Sequence, residues 1–333
     1  MIISSTPFRI SFFGGGTDYP AWFREHGGKV LATAINKYCY ISVRPLPPFF
    51  EHKSRVVYSL VEMVQSHDQI KHPAIRGILT DWRITQGLEI HHDGDLPARS
   101  GLGSSSSFTV GLLHALHALQ GRMVSKNELA REAIRIEQDV LQEHVGCQDQ
   151  IIVAWGGFNA IEFNQDGSFA VIPIILPRER RDELESSLML FFTGKTRFAT
   201  DVAAKQIDNI PNKIKELQQM RTMVDEAIAI LRDIRQPIDH FGRLLHENWQ
   251  RKRSLSDAVT TPLVDEIYAE AMAAGASGGK LLGAGGGGFM VFVVRPALRQ
   301  RLRERLGKLL HVDFRFNQDG SKIIVFNPEE TVT

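Results

Sequence analysis

The segment Leu96-Pro97-Ala98-Arg99-Ser100-Gly101-Leu102-Gly103-Ser104-Ser105-Ser106-Ser107 constrains this chain more than any other. A glycine-rich loop runs straight into a stretch in which Leu112, Ala115, Leu116 and Leu119 fall on one helical face. The start of such a helix gathers unpaired backbone N–H groups, the positive end of the helix dipole and several hydroxyls at one point. That is an anion site, and phosphate is its natural guest. A serine hydroxyl placed there can also reach a magnesium ion riding on phosphates. A cap needs one serine, so the run Ser104 to Ser107 exceeds what capping demands.

Two more glycine clusters frame the chain, Gly14-Gly15-Gly16 and Gly283 to Gly288. The latter matches G-x-G-x-x-G, but the strand pattern FMVFVV follows it, whereas a dinucleotide fingerprint opens a helix. It reads instead as a strand–turn–strand element whose bare backbone packs on another glycine loop or a ligand. Gly194-Lys195-Thr196 ends like a phosphate-binding P-loop, but Met189 stands where its first glycine is required. His91-His92-Asp93-Gly94-Asp95 makes a poor metal site, because adjacent strand residues face opposite sides.

Charged residues in apolar surroundings come next. Arg9 sits in PFRISFF, Asp18 follows GGGT, and Asp149 sits in GCQDQIIVAW. A buried charge must be paired, hydrogen-bonded or functional. Ser125 and Glu128 form a capping box, opening a helix whose apolar stripe is Leu129, Ala133, Ile136 and Val140. Glu137 lies one position off that stripe, at the edge of the buried face. Together these residues supply a cation for a transferring phosphoryl group, a carboxylate near an attacking hydroxyl and a magnesium carboxylate.

The 333 residues suffice for two domains, at roughly 150 residues each. Thirty-nine basic against 38 acidic residues leave a charge of +1, which gives no footprint for nucleic-acid binding. Cys39 and Cys147 are too few for a disulfide framework or a zinc cluster. No basic stretch precedes the apolar N-terminus, and no 18 apolar residues run together. The expectation is a cytoplasmic protein, a monomer or homodimer, with no membrane partner.

FRISFF, KVLATAI, YCYISVRP and Leu88 to His92 read as strands, and FNAIEF-NQDG-SFAVIPI as a hairpin. The charged stretch Pro177 to Glu185 marks the domain boundary, giving domains 1–180 and 181–333. Beyond it come the strand LMLFFT, helical patterns over 200–274, the runs GGKLLGA and GFMVFVV, a basic helix over 296–310, and the strands VDFRF and KIIVF. FNQDGS occurs at 163 and again at 316, which reads as two similar hairpin turns. The expected fold class is α+β, with the second domain ferredoxin-like in order.

LPARSGLGSSSSF resembles the ATP-binding signature of the GHMP kinases, the family of galactokinase, homoserine kinase, mevalonate kinase and phosphomevalonate kinase. PFRISFFGGGTDYP resembles the family's first motif and KLLGAGGGGFM its third, so the likeness spans residues 7–290. It implies an N-terminal domain like ribosomal protein S5, a ferredoxin-like C-terminal domain, and a cleft between them for ATP, Mg2+ and substrate. Carried over, Pro97 and Ser100 to Ser107 would wrap the triphosphate, with Ser105 and Glu137 as magnesium ligands and Ser104 as the alternative to Ser105. Asp149, in a G-x-Q-D-Q segment, would be the catalytic aspartate, and Arg9 would support the transferring phosphoryl. Asp18 would bind sugar hydroxyls beside Gly15, Gly16 and Thr17, while Gly285, Gly286, Gly287 and Gly288 would pack on the phosphate loop and close the cleft over the substrate.

Departures from the motifs narrow the resemblance. Galactokinases carry glutamate and histidine where this chain has Gly15-Gly16, and mevalonate-type members carry lysine where it has Arg9. GGGTDY with a downstream FFTGKTRFA is most similar to the bacterial D-glycero-D-manno-heptose 7-phosphate kinases. These phosphorylate an anomeric hydroxyl on the way to nucleotide-activated heptose for surface polysaccharide. A substrate already carrying phosphate needs a second cationic pocket, for which Lys195 and Arg197 are the candidates. An L-fucose-type 1-kinase, or a non-catalytic sugar and ATP sensor of the same fold, are the alternatives.

Overall fold

The computed structural model describes residues 1–47, 49–196 and 199–328, leaving aside the side chains of residues 199–201. Alternation and β-branching in the N-terminal half build β1 (Ile2–Phe13), β2 (Gly28–Pro45), β3 (Ser54–Val57), β4 (Val61–Val64), β5 (Leu88–Gly94), β6 (Phe158–Phe163) and β7 (Phe169–Pro173). KVLATAI and YCYISVRP, expected as separate strands, are the two halves of β2, which bends where its pairing with β1 slips between Pro7 and Phe8. Proline has no N–H to give the ladder, so the slip falls where the ladder is already weakest.

The second half forms β8 (Leu188–Phe192), β9 (Gly278–Leu281), β10 (Phe289–Val293) and β11 (Leu310–Val312), antiparallel throughout in the order β11-β8-β10-β9. Counted from β8, that is the 4-1-3-2 order of a ferredoxin-like sheet, as expected. The last strand, β12 (Lys322–Phe326), leaves this sheet and pairs with the free side of β1. A division of the chain at residue 180 is therefore crossed by its C-terminal segment. VDFRF is not one regular strand: Val312 ends β11, Asp313 to Arg315 are irregular, and Phe316 makes an isolated bridge to Ile35. The second FNQDGS is a crossing linker rather than a hairpin turn, held by Asn317 N–H to Ala34 O and Ser321 N–H to Val153 O. The basic helix is also shorter than expected, Arg299–Arg305 after a 3-10 turn at Pro296–Leu298.

Helix Ser104–Leu119 lies on β1 and β2. It is buried almost all round between Ser106 and Ala118, not along one face, because helices Lys126–Arg135 and Gln148–Trp155 cover its other sides. The charged stretch at the expected boundary is helix Arg178–Ser187. Arg180, 2% exposed, reaches from it to the Ile230 and Leu231 carbonyls at the end of helix Ile214–Arg232. A guanidinium satisfies such orphan carbonyls and complements the negative helix end. That contact ties the start of the second half to its longest helix.

Candidate active site

Two of the three glycine motifs meet each other, with β1 beside them. Arg9 N–H donates to Leu102 O, and Phe289 N–H donates to Ser100 O, so β1 and β10 both clasp the loop before helix Ser104–Leu119. The close approach requires bare backbone: a Cβ on Gly283 would lie 2.6 Å from Gly101 Cα, and one on Gly288 would lie 2.3 Å from Ser100 O. Gly101, Gly103, Gly283 and Gly288 all have positive φ, the region glycine enters without cost. Gly285 and Gly286 pack on Val259. Gly286 N–H bonds to Val259 O, and Gly285 abuts the Val259 backbone.

The four serines have separate environments. Ser104 Oγ accepts from Arg99 N–H at 2.9 Å, whereas Ser107 Oγ donates back to Pro7 O and Gly103 O. Ser105 is exposed at the helix start, while Ser106 is buried and its Oγ donates to Glu137 Oε2 at 3.0 Å. The residue that meets Glu137 is thus one position later than the expected Ser105. Leu102 is core, and Pro97 is exposed at the rim of the loop.

Glu137 is not at the edge of a face but fully buried. The helix that begins at Lys126 widens into a π turn over Ile136–Val140, and this turn carries Glu137 inward. Such turns recur at functional sites. Gln150 Nε2 also donates to Glu137 Oε2 and the Thr109 hydroxyl lies close by, whereas no well-formed hydrogen bond reaches the buried Oε1 among the described residues. Burial, with Glu143 nearby, pushes the Glu137 carboxyl up to about 8.

Across the loop, Arg9 and Asp149 form a fork. Arg9 Nε donates to Asp149 Oδ1 at 2.7 Å and Nη2 to Oδ2 at 2.5 Å, while Nη1 reaches Gly101 O at 2.6 Å. Arg9 is almost wholly buried, and the Asp149 side chain remains 24% exposed. Asp149 stands in the first turn of helix Gln148–Trp155, where the helix dipole favours a carboxylate.

Asp18 packs under the start of the same helix. Its Oδ1 accepts from Gly16 N–H and its Oδ2 from Gln148 Nε2, both at 2.9 Å. Gly146 makes room, since a Cβ there would sit 1.9 Å from Asp18 Oδ2. Burial and the nearby Asp149 charge hold the Asp18 carboxyl above its ordinary range, against the bonds from Gly16 and Gln148. Gln148 Oε1 and Ser11 Oγ, both buried, lack partners among the described residues, and both amino acids lie beside Gly15. Thr17 serves the backbone instead: its hydroxyl donates to Gly14 O and Lys29 O. Lys195 is exposed beside Gly287 at the end of the glycine turn, and Arg197 lies outside the described residues.

Sequence reasoning passed over Gln148, Lys252 and Lys280. Gln148 stood in the G-x-Q-D-Q segment already in hand. Lys280, inside GGKLLGA, met the same test of a charge in an apolar run that singled out Arg9. Its ammonium donates to Ser11 O and Phe12 O. Lys252 was hidden between Arg251 and Arg253 on a basic helix end.

An anion loop at a helix start, a forked arginine–aspartate pair and a buried carboxylate define a phosphoryl-transfer enzyme. The GHMP kinases N terminal domain matches residues 63–157, and the GHMP kinases C terminal domain matches residues 227–312. The chain belongs to the GHMP kinases, ATP-dependent phosphotransferases with an alcohol group as acceptor, and within them to the sugar kinases. It is 28% identical to the D-glycero-alpha-D-manno-heptose 7-phosphate kinase of Campylobacter jejuni, over 96% of this chain and 98% of that one. It is 26% identical to the L-fucokinase/L-fucose-1-P guanylyltransferase of Bacteroides fragilis, over 90% of this chain but 35% of that protein. A crystal structure of a D-glycero-D-manno-heptose 1-phosphate kinase from Bacteroides thetaiotaomicron superposes with a TM-score of 0.79, at 26% identity, covering 98% of this chain and all of that one. Among the described residues no helix is long and apolar enough to cross a membrane.

Proposed function

We propose that this sugar kinase phosphorylates the anomeric C1 hydroxyl of D-glycero-D-manno-heptose 7-phosphate, giving the 1,7-bisphosphate. The observation that carries the reading is the Asp18–Gln148–Asp149 corner. Two carboxylates and an amide, with buried orphan oxygens on Gln148 and Ser11, form a surface suited to a polyhydroxylated ring. The nearly full-length similarity to a heptose 7-phosphate kinase supports the choice of sugar.

Asp149 presents its exposed edge to the cleft and orients the attacking hydroxyl. Both its oxygens already accept N–H groups from Arg9, so orientation suits it better than early proton removal. A loose transition state requires no early proton transfer. Arg9 and the N–H groups at the start of helix Ser104–Leu119 stabilise charge developing on the phosphoryl oxygens. Lys195, with Arg197, is the proposed grip on the phosphate the sugar already carries.

Magnesium fits the residues present. Glu137 is a fully buried carboxyl held protonated by burial, and a cation beside it would favour the carboxylate instead; magnesium is commonly held by one or two protein groups plus phosphates. Glu137 with Ser106 would hold it, with Ser105 beside them at the exposed helix start. When bound, the ion neutralises phosphate charge.

ADP release with MgATP, measured across D-glycero-D-manno-heptose 7-phosphate, mannose 6-phosphate, L-fucose, galactose and mevalonate, tests the reading. Turnover should favour the heptose phosphate. Preference for L-fucose would move the protein to the anomeric fucokinases, and silence across the panel with ATP still bound would make it a sensor.

A further inference from the structure

Two lysines are buried behind the Arg9–Asp149 pair. Lys252, on helix Asp239–Arg253, is 5% exposed, and Lys280, on β9, is 1% exposed. Buried ammonium groups are costly unless their protons are bonded and their charge is answered. Lys280 spends its ammonium on two β1 carbonyls, which is a structural arrangement. Lys252 differs. Its Nζ donates to Gly283 O, the first residue of the glycine turn that packs on Gly101. It also lies near enough to feel Arg9, Asp18 and Asp149.

Arg9 and Lys252 lie with Asp18 and Asp149 beside the contact of Gly283 with Gly101, whereas burial holds the Lys280 ammonium well below its ordinary range. Two cations at this junction, one of them bonded to the glycine turn itself, suit an incoming anion. We propose that Lys252 is a positioning residue of phosphoryl transfer: its ammonium clamps the Gly283–Gly288 turn onto the phosphate loop and adds positive charge behind the Arg9–Asp149 pair. The inference rests on the kinase reading of the same cleft.

The groups facing Lys252 are Arg9 on β1, Asp18 after it, Asp149 on helix Gln148–Trp155 and Lys280 on β9. Burial and Arg9 bring its ammonium down to about 8, against the opposing pull of Asp18 and Asp149. The free enzyme should therefore lose activity as pH rises through that value, when the charge is lost.

The test compares wild type, Lys252→Met and Lys252→Arg with MgATP and the sugar of the panel that wild type turns over. Wild-type turnover reports on the kinase reading, and the ratio of variant to wild type reports on Lys252. Lys252→Met should lower kcat about 10²-fold, the scale of losing one preorganised charge, with the sugar KM little changed. Its Tm should fall, since Gly283 O loses its buried partner, so both variants are assayed well below their Tm. The alkaline limb of kcat/KM for MgATP near pH 8 should be present in wild type and absent in the variant. A Lys252→Met enzyme with wild-type kcat, or with reduced kcat but the same alkaline limb, overturns the proposal. If the Met protein does not fold, Lys252→Arg decides: its charge does not titrate in this range, so persistence of the limb overturns the proposal equally.

Discussion

Arg9 and Asp149, 140 residues apart in the chain, meet through two parallel hydrogen bonds, Nε to Oδ1 at 2.7 Å and Nη2 to Oδ2 at 2.5 Å. The third arm of the same guanidinium reaches Gly101 O in the phosphate loop. One side chain thus fixes both the carboxylate proposed to meet the sugar hydroxyl and the loop proposed to meet the phosphates. Asp149→Asn keeps the shape but breaks the fork, because an amide nitrogen cannot accept from Arg9. kcat should fall by about 10³-fold or more, as when a preorganised polar group at a reacting centre is lost. The Kd for ATP, measured by calorimetry, should stay within a few-fold, and a variant with near wild-type turnover would remove Asp149 from the mechanism.

Glu137 makes stability depend on pH. Its carboxyl is raised from 4.5 to about 8 by burial, so folding favours the protonated form. That contribution is fully present below pH 4.5 and is lost as pH rises toward 8. In metal-free protein, Glu137→Gln should leave Tm unchanged at pH 4.5, within the acid range, and raise it progressively up to pH 8. Turnover of the variant should be abolished. A Tm difference independent of pH would show that the buried carboxylate is compensated in some other way.

Much of this site was legible in the sequence, for a physical reason. Anion loops need glycine and hydroxyl residues in consecutive positions, so Gly101 to Ser107 could be read directly, as could the isolated charges Arg9, Asp18 and Asp149. What stayed hidden depends on backbone geometry that residue spacing does not encode. The π turn at Ile136–Val140 carries Glu137 from the edge of a face into the interior and brings it to Ser106 rather than Ser105. Lys252 stands between Arg251 and Arg253, and nothing in that run distinguishes a buried cation from a solvated one. In the fold, the helical periodicity after Ser104 was real, but burial on nearly all sides came from helices far along the chain. The return of β12 to β1 is likewise a long-range pairing without a local signature.

The contact between Gly283 and Gly101 should be intolerant of any side chain. Gly283→Ala places a Cβ 2.6 Å from Gly101 Cα, at a residue whose φ is +76°. The strained backbone costs about 1–3 kcal/mol, and the turn must move away from the phosphate loop. Thermal unfolding should show a lower Tm, and steady-state kinetics a raised KM for ATP. Unchanged values of both would mean that the two glycine motifs need not touch for function.

Lys195, exposed beside Gly287, is where recognition of the substrate phosphate can be probed. Lys195→Ala should raise KM for heptose 7-phosphate about tenfold, the scale of one charge-assisted hydrogen bond, while KM for ATP stays constant. An equal effect on an unphosphorylated sugar would assign Lys195 to the fold or to ATP rather than to the sugar's phosphate.

The most direct test of the whole account is the position of the new phosphate. With D-glycero-D-manno-heptose 7-phosphate and MgATP, phosphorus and proton NMR of the product should show a second phosphate on C1, coupled to the anomeric proton. A second phosphate on any other hydroxyl, or transfer only to sugars that carry no phosphate, would contradict it.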